Sequence, residues 1–332
     1  MTTLITGAAG FIGMSTAERL LQRGDTVIGI DIVNDYYDPR LKEDRLRRLT
    51  ETFGDAFRLV RADFSDMAAL DAALAAHSFD RIVHLGAQAG VRYSIENPHA
   101  YVQSNLVGHL NMLEVARARK VDHFVYASSS SVYGGNTSLP FRVEDRVDRP
   151  LSLYAATKKA DELMSETYAH LYRLPQTGLR FFTVYGPWGR PDMAMWIFTK
   201  AILAGEPIPV FNDGNMERDF TYIDDIVSGV VSCHDHGPPD DGLEKAGGSV
   251  GPHRIYNIGN SSSEHLGRMI DLLEQEIGRP ALRHYLPMQP GDVSKTYADI
   301  AAIQHDLGFA PTTPISVGVP AFVRWYREYH GV

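Results

Sequence analysis

A glycine-rich turn near the amino terminus constrains the fold more than any other feature of the sequence. Gly7, Gly10 and Gly13 follow a short β-rich segment, Thr2–Thr6, and open an amphipathic run with the pattern of a helix. Without a Cβ, the chain turns tightly here, and an anionic phosphate can approach the N–H groups that begin the helix. A turn that binds nothing is the alternative for an isolated glycine triplet. The residues of the predicted phosphate cradle are Gly7, Gly10, Phe11, Ile12 and Gly13.

An acidic residue after the second predicted strand favours a dinucleotide over the empty turn. Asp31 directly follows Ile30, near the position at which a carboxylate meets the adenosine ribose in such units. A carboxylate there accepts hydrogen bonds from both ribose hydroxyls and repels a 2′-phosphate, which favours NAD over NADP. Asp31 as a cap of the next element is the alternative. Asp63 and Gly86, which follow strands three and four, are further candidates for the cofactor site, or ordinary strand-end residues.

The first half of the chain alternates β-rich runs with longer helical patterns. This rhythm is typical of a doubly wound parallel sheet of the Rossmann type, with crossover helices on both faces. The predicted strands are Thr2 to Thr6, Thr26 to Ile30, Phe57 to Arg61, Arg81 to Leu85, His123 to Ala127 and Thr177 to Phe182.

Proline and glycine loosen this rhythm from Thr183 onward, which predicts a second unit. We expect an α/β protein in which residues 1–182 form an NAD-binding Rossmann domain. Residues of about 219–258 are also expected to contribute to it. The segments Asp224 to Cys233 and Ile255 to Ile258 are the ones expected to pack back on the first lobe. Residues 183–332 are expected to form a smaller α/β lobe that binds the substrate.

Composition excludes several classes of function. The formal net charge is −9 and no dense run of Lys or Arg occurs, so the electrostatic attraction that drives nucleic-acid binding is missing. No apolar stretch of the roughly 18 residues needed to span a bilayer is present, so we expect no membrane partner. Cys233 is the only cysteine, which rules out an internal disulfide and a cysteine-based zinc site. We therefore expect a cytoplasmic protein without a metal.

Two polar motifs supply the groups for catalysis. Tyr154 and Lys158 stand four residues apart and thus share one face of a helix. A cation beside a tyrosine favours the phenolate, which can act as a general base. Ser128 to Ser131 end a predicted strand, at the sheet edge where ligands of such folds bind. Each motif alone is weak, but their order after the glycine turn is specific.

The combination of Gly7 to Gly13, Ser128 to Gly134 and Tyr154 to Lys158 resembles the extended short-chain dehydrogenase/reductase family, whose members include sugar-nucleotide epimerases, dehydratases and decarboxylases. The resemblance covers nearly the whole chain. It implies that Ser129 shares the substrate hydroxyl, that Tyr154 is the base, and that Lys158 is both the partner of that tyrosine and a ligand of the cofactor ribose.

Four longer runs look like UDP-glucuronate 4-epimerases: Asn34 to Asp38, Gln88 to Ser94, Arg180 to Ala194 and Met288 to Val293. This narrower resemblance implies NAD-dependent epimerisation of UDP-glucuronate at C4, giving UDP-galacturonate through a transient 4-keto sugar. Gly86 departs from the family pattern, which has alanine there, and we expect only a difference in packing.

The resemblance also implies contacts to a UDP-sugar and a homodimer. Thr183 and Arg190 are expected to face the sugar carboxylate, Arg218 the diphosphate and Phe211 the uracil. The dimer is expected to form through the helices around His99 to Arg117 and Ser152 to Tyr172. The full set of implied substrate-binding residues is Arg92, Ser129, Ser130, Ser131, Thr183, Arg190, Phe211 and Arg218.

Other functional hypotheses use most of the same residues. A decarboxylase that makes a UDP-pentose would use the same cofactor and catalytic groups, and so would a 4-epimerase of another UDP-hexose. A 4,6-dehydratase is disfavoured because Ser130 and Ser131 occupy the positions of its acidic pair. An NAD-binding regulator without turnover would have no chemical need for Ser129, Tyr154 and Lys158.

Overall fold

The structure is a computed structural model that describes residues 1–332. A seven-stranded parallel sheet forms its centre, in the order β10-β6-β5-β4-β1-β2-β3, and two smaller sheets of three and two strands lie outside it. The strands are β1 (Thr2–Thr6), β2 (Thr26–Ile30), β3 (Phe57–Val60), β4 (Arg81–His84), β5 (His123–Ser129), β6 (Gln176–Phe181), β7 (Thr183–Tyr185), β8 (Pro207–Phe211), β9 (Glu217–Tyr222), β10 (His253–Ile258), β11 (Ser263–His265) and β12 (Leu282–Leu286).

Helices cover both faces of the large sheet, because successive residues of its strands point in opposite directions. In β1, Ile5 packs into the core formed with the first and ninth helices, and Leu4 packs into the core on the other face. The helices are α1 (Phe11–Gln22), α2 (Pro39–Phe53), α3 (Met67–Leu74), α4 (Tyr93–Glu96), α5 (Pro98–Tyr101), α6 (Gly108–Arg119), α7 (Leu153–Tyr172), α8 (Ala194–Ala204), α9 (Ile223–Asp235), α10 (Leu266–Ile277), α11 (Ala301–Leu307) and α12 (Ile315–His330).

The predicted doubly wound parallel sheet is confirmed, with small corrections to the strand bounds. β5 ends at Ser129 rather than Ala127, because its ladder with β6 continues through Ser128 and Ser129 opposite Arg180 and Phe181. β3 and β4 each end one residue earlier than predicted. β10 adds the seventh strand by pairing parallel to β6.

The second core lies around α8, α10 and α12, where Trp196, Met269 and Phe322 are buried together. One segment of the carboxyl-terminal region returns to the large sheet, since Ile300 and Ile303 pack into the same core as β10. No helix is both long and apolar enough to cross a membrane.

The strand order reverses between β4 and β1, and open parallel sheets bind ligands outside the carboxyl ends of the strands at such a point. The glycine turn follows β1, Gly86 lies just beyond β4, and β5 ends at Ser129. The topology therefore brings the motifs found in the sequence to one edge of the sheet.

Candidate active site

The glycine turn is compressed to an extent that only glycine permits. Gly7 has a φ of +70°, and a Cβ on it would lie 2.8 Å from the backbone nitrogen of Gly86. A Cβ on Gly13 would overlap the carbonyl oxygen of Gly7. α1 starts directly after Gly10, whose own amide donates to Gly7 O at 2.8 Å. The amides of Phe11, Ile12 and Gly13 donate to no carbonyl or capping side chain, so they are free to bind a phosphate.

Asp31 lies beside this turn at the end of β2. Its Oδ2 accepts the Ala9 amide at 3.0 Å and its Oδ1 accepts the Val33 amide at 2.8 Å. An ionised carboxylate has about four acceptor positions, so two remain for the hydroxyls of a ribose. The cradle and Asp31 together fit a dinucleotide such as NAD.

Gly86 has a larger packing role than the sequence indicated. A Cβ there would lie 2.6 Å from the ring of Phe64 and 3.0 Å from Thr6 Oγ1. Gly108 faces the same ring, and a Cβ on it would also collide with Phe64. An alanine at position 86 would therefore have to displace the Phe64 ring. Asp63, next to Phe64, accepts the Ser65 amide at 2.8 Å and shapes the turn after β3.

Replacement of Gly13 by alanine is expected to weaken NAD binding by roughly 10- to 100-fold. The new Cβ would overlap Gly7 O, and opening the turn to relieve this overlap costs about 1–3 kcal/mol. Calorimetric titration with NAD measures this change. Gly267→Ala is the matched control, since Gly267 lies in α10 with open space around it. Equal affinities of the Gly13→Ala variant and the wild type would contradict a cradle at this turn.

Tyr154 and Lys158 lie in the first two turns of α7, which begins after Ser152. The Ser152 hydroxyl accepts the Ala155 amide at 3.1 Å and caps the helix. The Lys158 ammonium donates to Ala127 O and to Asp161 Oδ2, both at 2.9 Å. Tyr154 is half-buried, and its ring packs edge-on against Tyr101 with 6.0 Å between centroids. Tyr154 and Lys158 are thus held at the carboxyl end of β5.

The serines at the end of β5 divide into two roles. Ser128 is buried and donates to Glu162 Oε1 at 2.7 Å. Ser129 Oγ accepts the Ser131 amide at 3.1 Å and donates to Ser131 Oγ at 3.1 Å, which places the two hydroxyls side by side. Ser130 is half-buried and its hydroxyl has no protein partner. At the end of β5, Ser129, Ser130 and Ser131 are therefore the candidates for contact with a ligand, whereas Ser128 is bound by Glu162.

A buried ion pair fixes α7 to the sheet. Arg180 Nε donates to Glu162 Oε1 at 2.8 Å and Arg180 Nη2 donates to Glu162 Oε2 at 3.0 Å, and both side chains are fully buried. Arg180 also donates to the hydroxyl of Tyr133 at 3.0 Å. Burial opposes the ionisation of Glu162, but Arg180 outweighs it, and the pKa of Glu162 stays below its ordinary value.

Arg190 lies near Tyr154 and is already paired. Its Nε donates to Asp192 Oδ1 at 3.0 Å and its Nη2 donates to Asp192 Oδ2 at 2.5 Å. Tyr36 donates to the same carboxylate at 3.2 Å. Burial and the charge of Asp192 raise the pKa of Tyr36 to about 12, so its phenol stays protonated. Thr183, the first residue of β7, is half-buried with its hydroxyl unpaired.

A second group of predicted substrate residues meets beside β8 and β9. The Arg92 guanidinium lies 5.1 Å from the centroid of the Phe211 ring. Arg218 donates to Asp292 Oδ1 at 2.7 Å and to Glu217 O at 2.9 Å. Burial lowers the pKa of Arg218, and the nearby charge of Arg92 adds to this effect. Two guanidinium groups near one aromatic ring suit a nucleotide diphosphate next to its base.

Arg45 connects the two halves of the site. Although it is fully buried, it has no carboxylate partner. Its guanidinium donates to Ala9 O in the glycine turn (2.9 Å), to the Tyr37 hydroxyl (2.7 Å), and to Trp188 O and Gly189 O (2.6 and 3.0 Å). It thus joins the cofactor turn to the loop that carries Arg190.

The sequence profile of the NAD-dependent epimerase/dehydratase family matches residues 3–259, most of the chain. The chain belongs to this family. Relatives of this epimerase-family chain include protein CapI of Staphylococcus aureus, 49% identical over 99% of both chains. Another is a probable UDP-glucuronate 4-epimerase of Rhizobium meliloti, 48% identical over 99% of this chain and 97% of the relative.

Solved structures give the same result. The UDP-glucuronic acid 4-epimerase of Bacillus cereus, in complex with UDP-glucuronic acid and NAD, is similar to this family member over 99% of this chain and 100% of that one. The TM-score is 0.85 and the sequence identity is 32%.

Several residues of the epimerase-family site were not found by sequence reasoning. Tyr101 donates to the carbonyls of Ala89 and Gly90 and packs on Tyr154, yet nothing in its local sequence marks it. Asp161 follows Lys158 by three residues, and this helical spacing was a usable signal. Arg45 had none. Tyr36 stands in the run Asn34 to Asp38 that resembles the family, but nothing in that run indicated its bond to Asp192. No group of three or more His, Cys, Asp or Glu side chains is arranged to hold a metal ion.

Proposed function

We propose that this protein is an NAD-dependent epimerase that interconverts UDP-glucuronate and UDP-galacturonate at C4. The observation that carries the proposal is that the chain belongs to the epimerase family and that its relatives bear the name of one particular epimerase. Close relatives over the full chain are named UDP-glucuronate 4-epimerases, and a similar structure holds UDP-glucuronic acid and NAD. The candidate site supplies a base, a partner cation and an arginine on the substrate side.

Residues of the large sheet's edge would hold the cofactor: Gly7, Gly10, Phe11, Ile12 and Gly13 at the pyrophosphate, Asp31 and Lys158 at the riboses, with Asp63 and Gly86 beside them. When bound, NAD accepts a hydride from C4 of the sugar and returns it to the opposite face. Because the exchange is internal, the reaction needs no added reductant.

The proton moves between the sugar and Tyr154. The phenolate takes the proton of the C4 hydroxyl as the 4-keto sugar forms, and gives it back to the oxygen once the sugar has turned over. Ser129 holds that oxygen by a hydrogen bond. Lys158 favours the phenolate by its charge.

A uronic acid adds a hazard, since a 4-keto sugar with a C6 carboxylate is a β-keto acid and readily loses carbon dioxide. The C5–C6 bond breaks when it stands roughly perpendicular to the carbonyl plane, so a carboxylate fixed near that plane is protected by orientation alone. We propose that Ser130, Ser131 and Thr183 hold the carboxylate and that Arg190 adjusts its angle. The free hydroxyls of Ser130 and Thr183 support this assignment.

Thr183→Ala and Arg190→Ala variants are each expected to release more UDP-pentose than the wild type, because the carboxylate gains freedom to rotate. Mass spectrometry of the products measures the ratio of UDP-pentose to UDP-galacturonate. Arg146→Ala, a change at an exposed arginine paired only with Asp148, should leave the ratio unchanged. The assignment is wrong if neither variant forms extra UDP-pentose.

The far end of the substrate is assigned to the boundary between the two domains, because Arg92 lies in residues 1–182 and both Phe211 and Arg218 lie in residues 183–332. We propose that Arg92 and Arg218 neutralise the diphosphate and that Phe211 stacks on the uracil. The domain division proposed from the sequence fits this role, with residues 1–182 and about 219–258 for NAD and residues 183–332 for the sugar nucleotide. The pairing of β10 with β6 supports the contribution of the later segment to the first domain.

We also propose a cytoplasmic homodimer. The helices α6 and α7 pack on each other and leave Leu110, Leu163 and Leu171 exposed. Apolar side chains concentrated on a helix pair are typical of an interface. The cytoplasmic location rests on the single cysteine, Cys233, which is buried and unpaired.

Leu163→Glu and Leu171→Glu are expected to convert the dimer to monomers, because each places a charge within an apolar contact. Sedimentation velocity measures the mass. Leu243→Glu, at an exposed position in the loop before β10, is the control and should leave the mass unchanged. A wild-type monomer at micromolar concentration would contradict the dimer.

The function itself is tested by incubating the purified protein with UDP-glucuronate and no added NADH. Unchanged mass with new anomeric proton signals of galacturonate supports the epimerase. Loss of carbon dioxide would assign the chain to the decarboxylases. Turnover of neutral UDP-hexoses alone would point to another 4-epimerase, and no turnover of any nucleotide sugar would favour a regulator that binds NAD.

A further inference from the structure

Lys158 shares its buried position with a carboxylate that the proposed mechanism does not use. Asp161 is fully buried one helical turn away, and its Oδ2 accepts the Lys158 ammonium at 2.9 Å. The other oxygen, Oδ1, is buried without any hydrogen-bond partner. A buried carboxylate with an unsatisfied oxygen is costly, so a role in packing alone explains it poorly.

The groups around this pair leave Asp161 as the one counter-ion of Lys158. From β4 and α6, His84 and His109 face the pair, and burial lowers the pKa of both, to about 3 for His84, so they are neutral. From β5, the buried phenol of Tyr126 faces it and is also neutral. Glu162 on α7 is bound in the ion pair with Arg180.

Tyr154 meets a different set of groups on its other side. Tyr101 packs against its ring from α5, and burial raises the pKa of Tyr101, so that phenol is neutral. Arg190 is the remaining charge near Tyr154, and its cation is paired with Asp192. Lys158 is the cation of α7 that shares a helix face with Tyr154, four residues further along.

Asp161 limits the effect of Lys158 on Tyr154 in two ways. An ammonium group has three N–H donors, and Asp161 and Ala127 O occupy two of them, which leaves one for the cofactor. The negative charge also offsets part of the positive field that reaches Tyr154. Burial raises the pKa of Asp161 to about 6, against the pull of Lys158, with which its carboxylate forms an ion pair at 2.9 Å.

We propose that Asp161 is a positioning residue that holds Lys158 against Ala127 and weakens the positive field of Lys158 at Tyr154. The proposal rests on the proposed function in so far as that function makes Tyr154 the base. It predicts that a neutral residue at position 161 strengthens the field, so that Tyr154 loses its proton at lower pH.

The test compares Asp161→Asn, Asp161→Ser and Asp161→Glu with the wild type, all with NAD bound. The chain has 16 tyrosines, so the phenolate absorbance of Tyr154 is isolated by subtracting the titration of the same protein with Tyr154→Phe. Both neutral variants should move the Tyr154 titration down by roughly half to one pH unit, while the Glu variant stays near the wild type. The acid limb of kcat/KM should move in parallel.

This set of variants distinguishes an electrostatic role of Asp161 from a purely structural one. It also distinguishes failure of this proposal from failure of the proposed function. The titration is read only for variants whose circular dichroism shows that they are folded, and the Ser variant decides if the Asn variant does not fold. An unshifted Tyr154 titration in a folded neutral variant, even with a lower melting temperature, overturns the role of Asp161. The titration needs no turnover, so a wild type inert towards UDP-glucuronate would contradict the substrate and leave this readout intact.

Discussion

Replacement of Tyr154 by phenylalanine is expected to lower kcat for the epimerisation by about 10²- to 10⁴-fold, the usual contribution of a positioned general base. The change removes one hydroxyl that has no protein hydrogen-bond partner and leaves the ring in contact with Tyr101. The fold and the affinity for NAD should therefore remain as in the wild type. Product formation followed by proton NMR, with NAD affinity measured separately, gives both quantities.

The matched control is Tyr172→Phe, at the exposed end of the same helix, where kcat should not change. A Tyr154→Phe variant that retained more than about a tenth of the wild-type kcat would exclude this tyrosine as the base. A loss of NAD binding in parallel with kcat would instead indicate a structural effect.

Arg180→Met is expected to reduce the free energy of unfolding by about 3–5 kcal/mol, because it removes the bidentate partner of a buried carboxylate. Glu162 then keeps only the Lys159 ammonium at 3.2 Å and the Ser128 hydroxyl as partners. Changing both residues, Arg180→Met with Glu162→Leu, should restore part of the loss, since no buried charge then remains. Urea unfolding followed by circular dichroism measures both. Arg173→Ala breaks the exposed pair with Asp240 and should cost at most about 1 kcal/mol.

The ion pair also predicts how stability depends on pH. The pKa of Glu162 is lower in the folded protein than its ordinary value of 4.5. Its contribution is therefore complete above pH 4.5 and is lost as the pH falls through the folded-state pKa. If the Glu162→Gln variant had the same acid unfolding profile as the wild type, this linkage would be wrong.

Local patterns made much of the cofactor side predictable from the sequence. The turn of Gly7 to Gly13 and the pair of Tyr154 and Lys158 each lie within one short segment, where spacing alone determines which groups share a face. The parallel sheet followed from apolar runs at regular intervals. The return of β10 to the sheet was visible as an alternative because its apolar pattern matched that of the earlier strands.

The remaining features depend on contacts between distant segments. Phe64 excludes a side chain at both Gly86 and Gly108, and no spacing rule connects these three positions. Arg45 was an ordinary charged residue of an amphipathic helix in the sequence, yet its partners lie in three other segments. Burial of Asp161 depends on how α7 packs on the sheet, so its charge had no evident meaning before the fold was known.

The position of Arg45 has a thermodynamic consequence. One guanidinium holds a carbonyl of the cofactor turn and two carbonyls of the loop that carries Arg190, so a shift of either segment strains bonds to the other. We expect binding at the two places to be coupled, and linkage then requires the coupling to be reciprocal. The factor by which NAD changes the affinity for the nucleotide sugar is also the factor by which the sugar changes the affinity for NAD. The enzyme with sugar bound would therefore hold its dinucleotide with a different affinity from the enzyme without it.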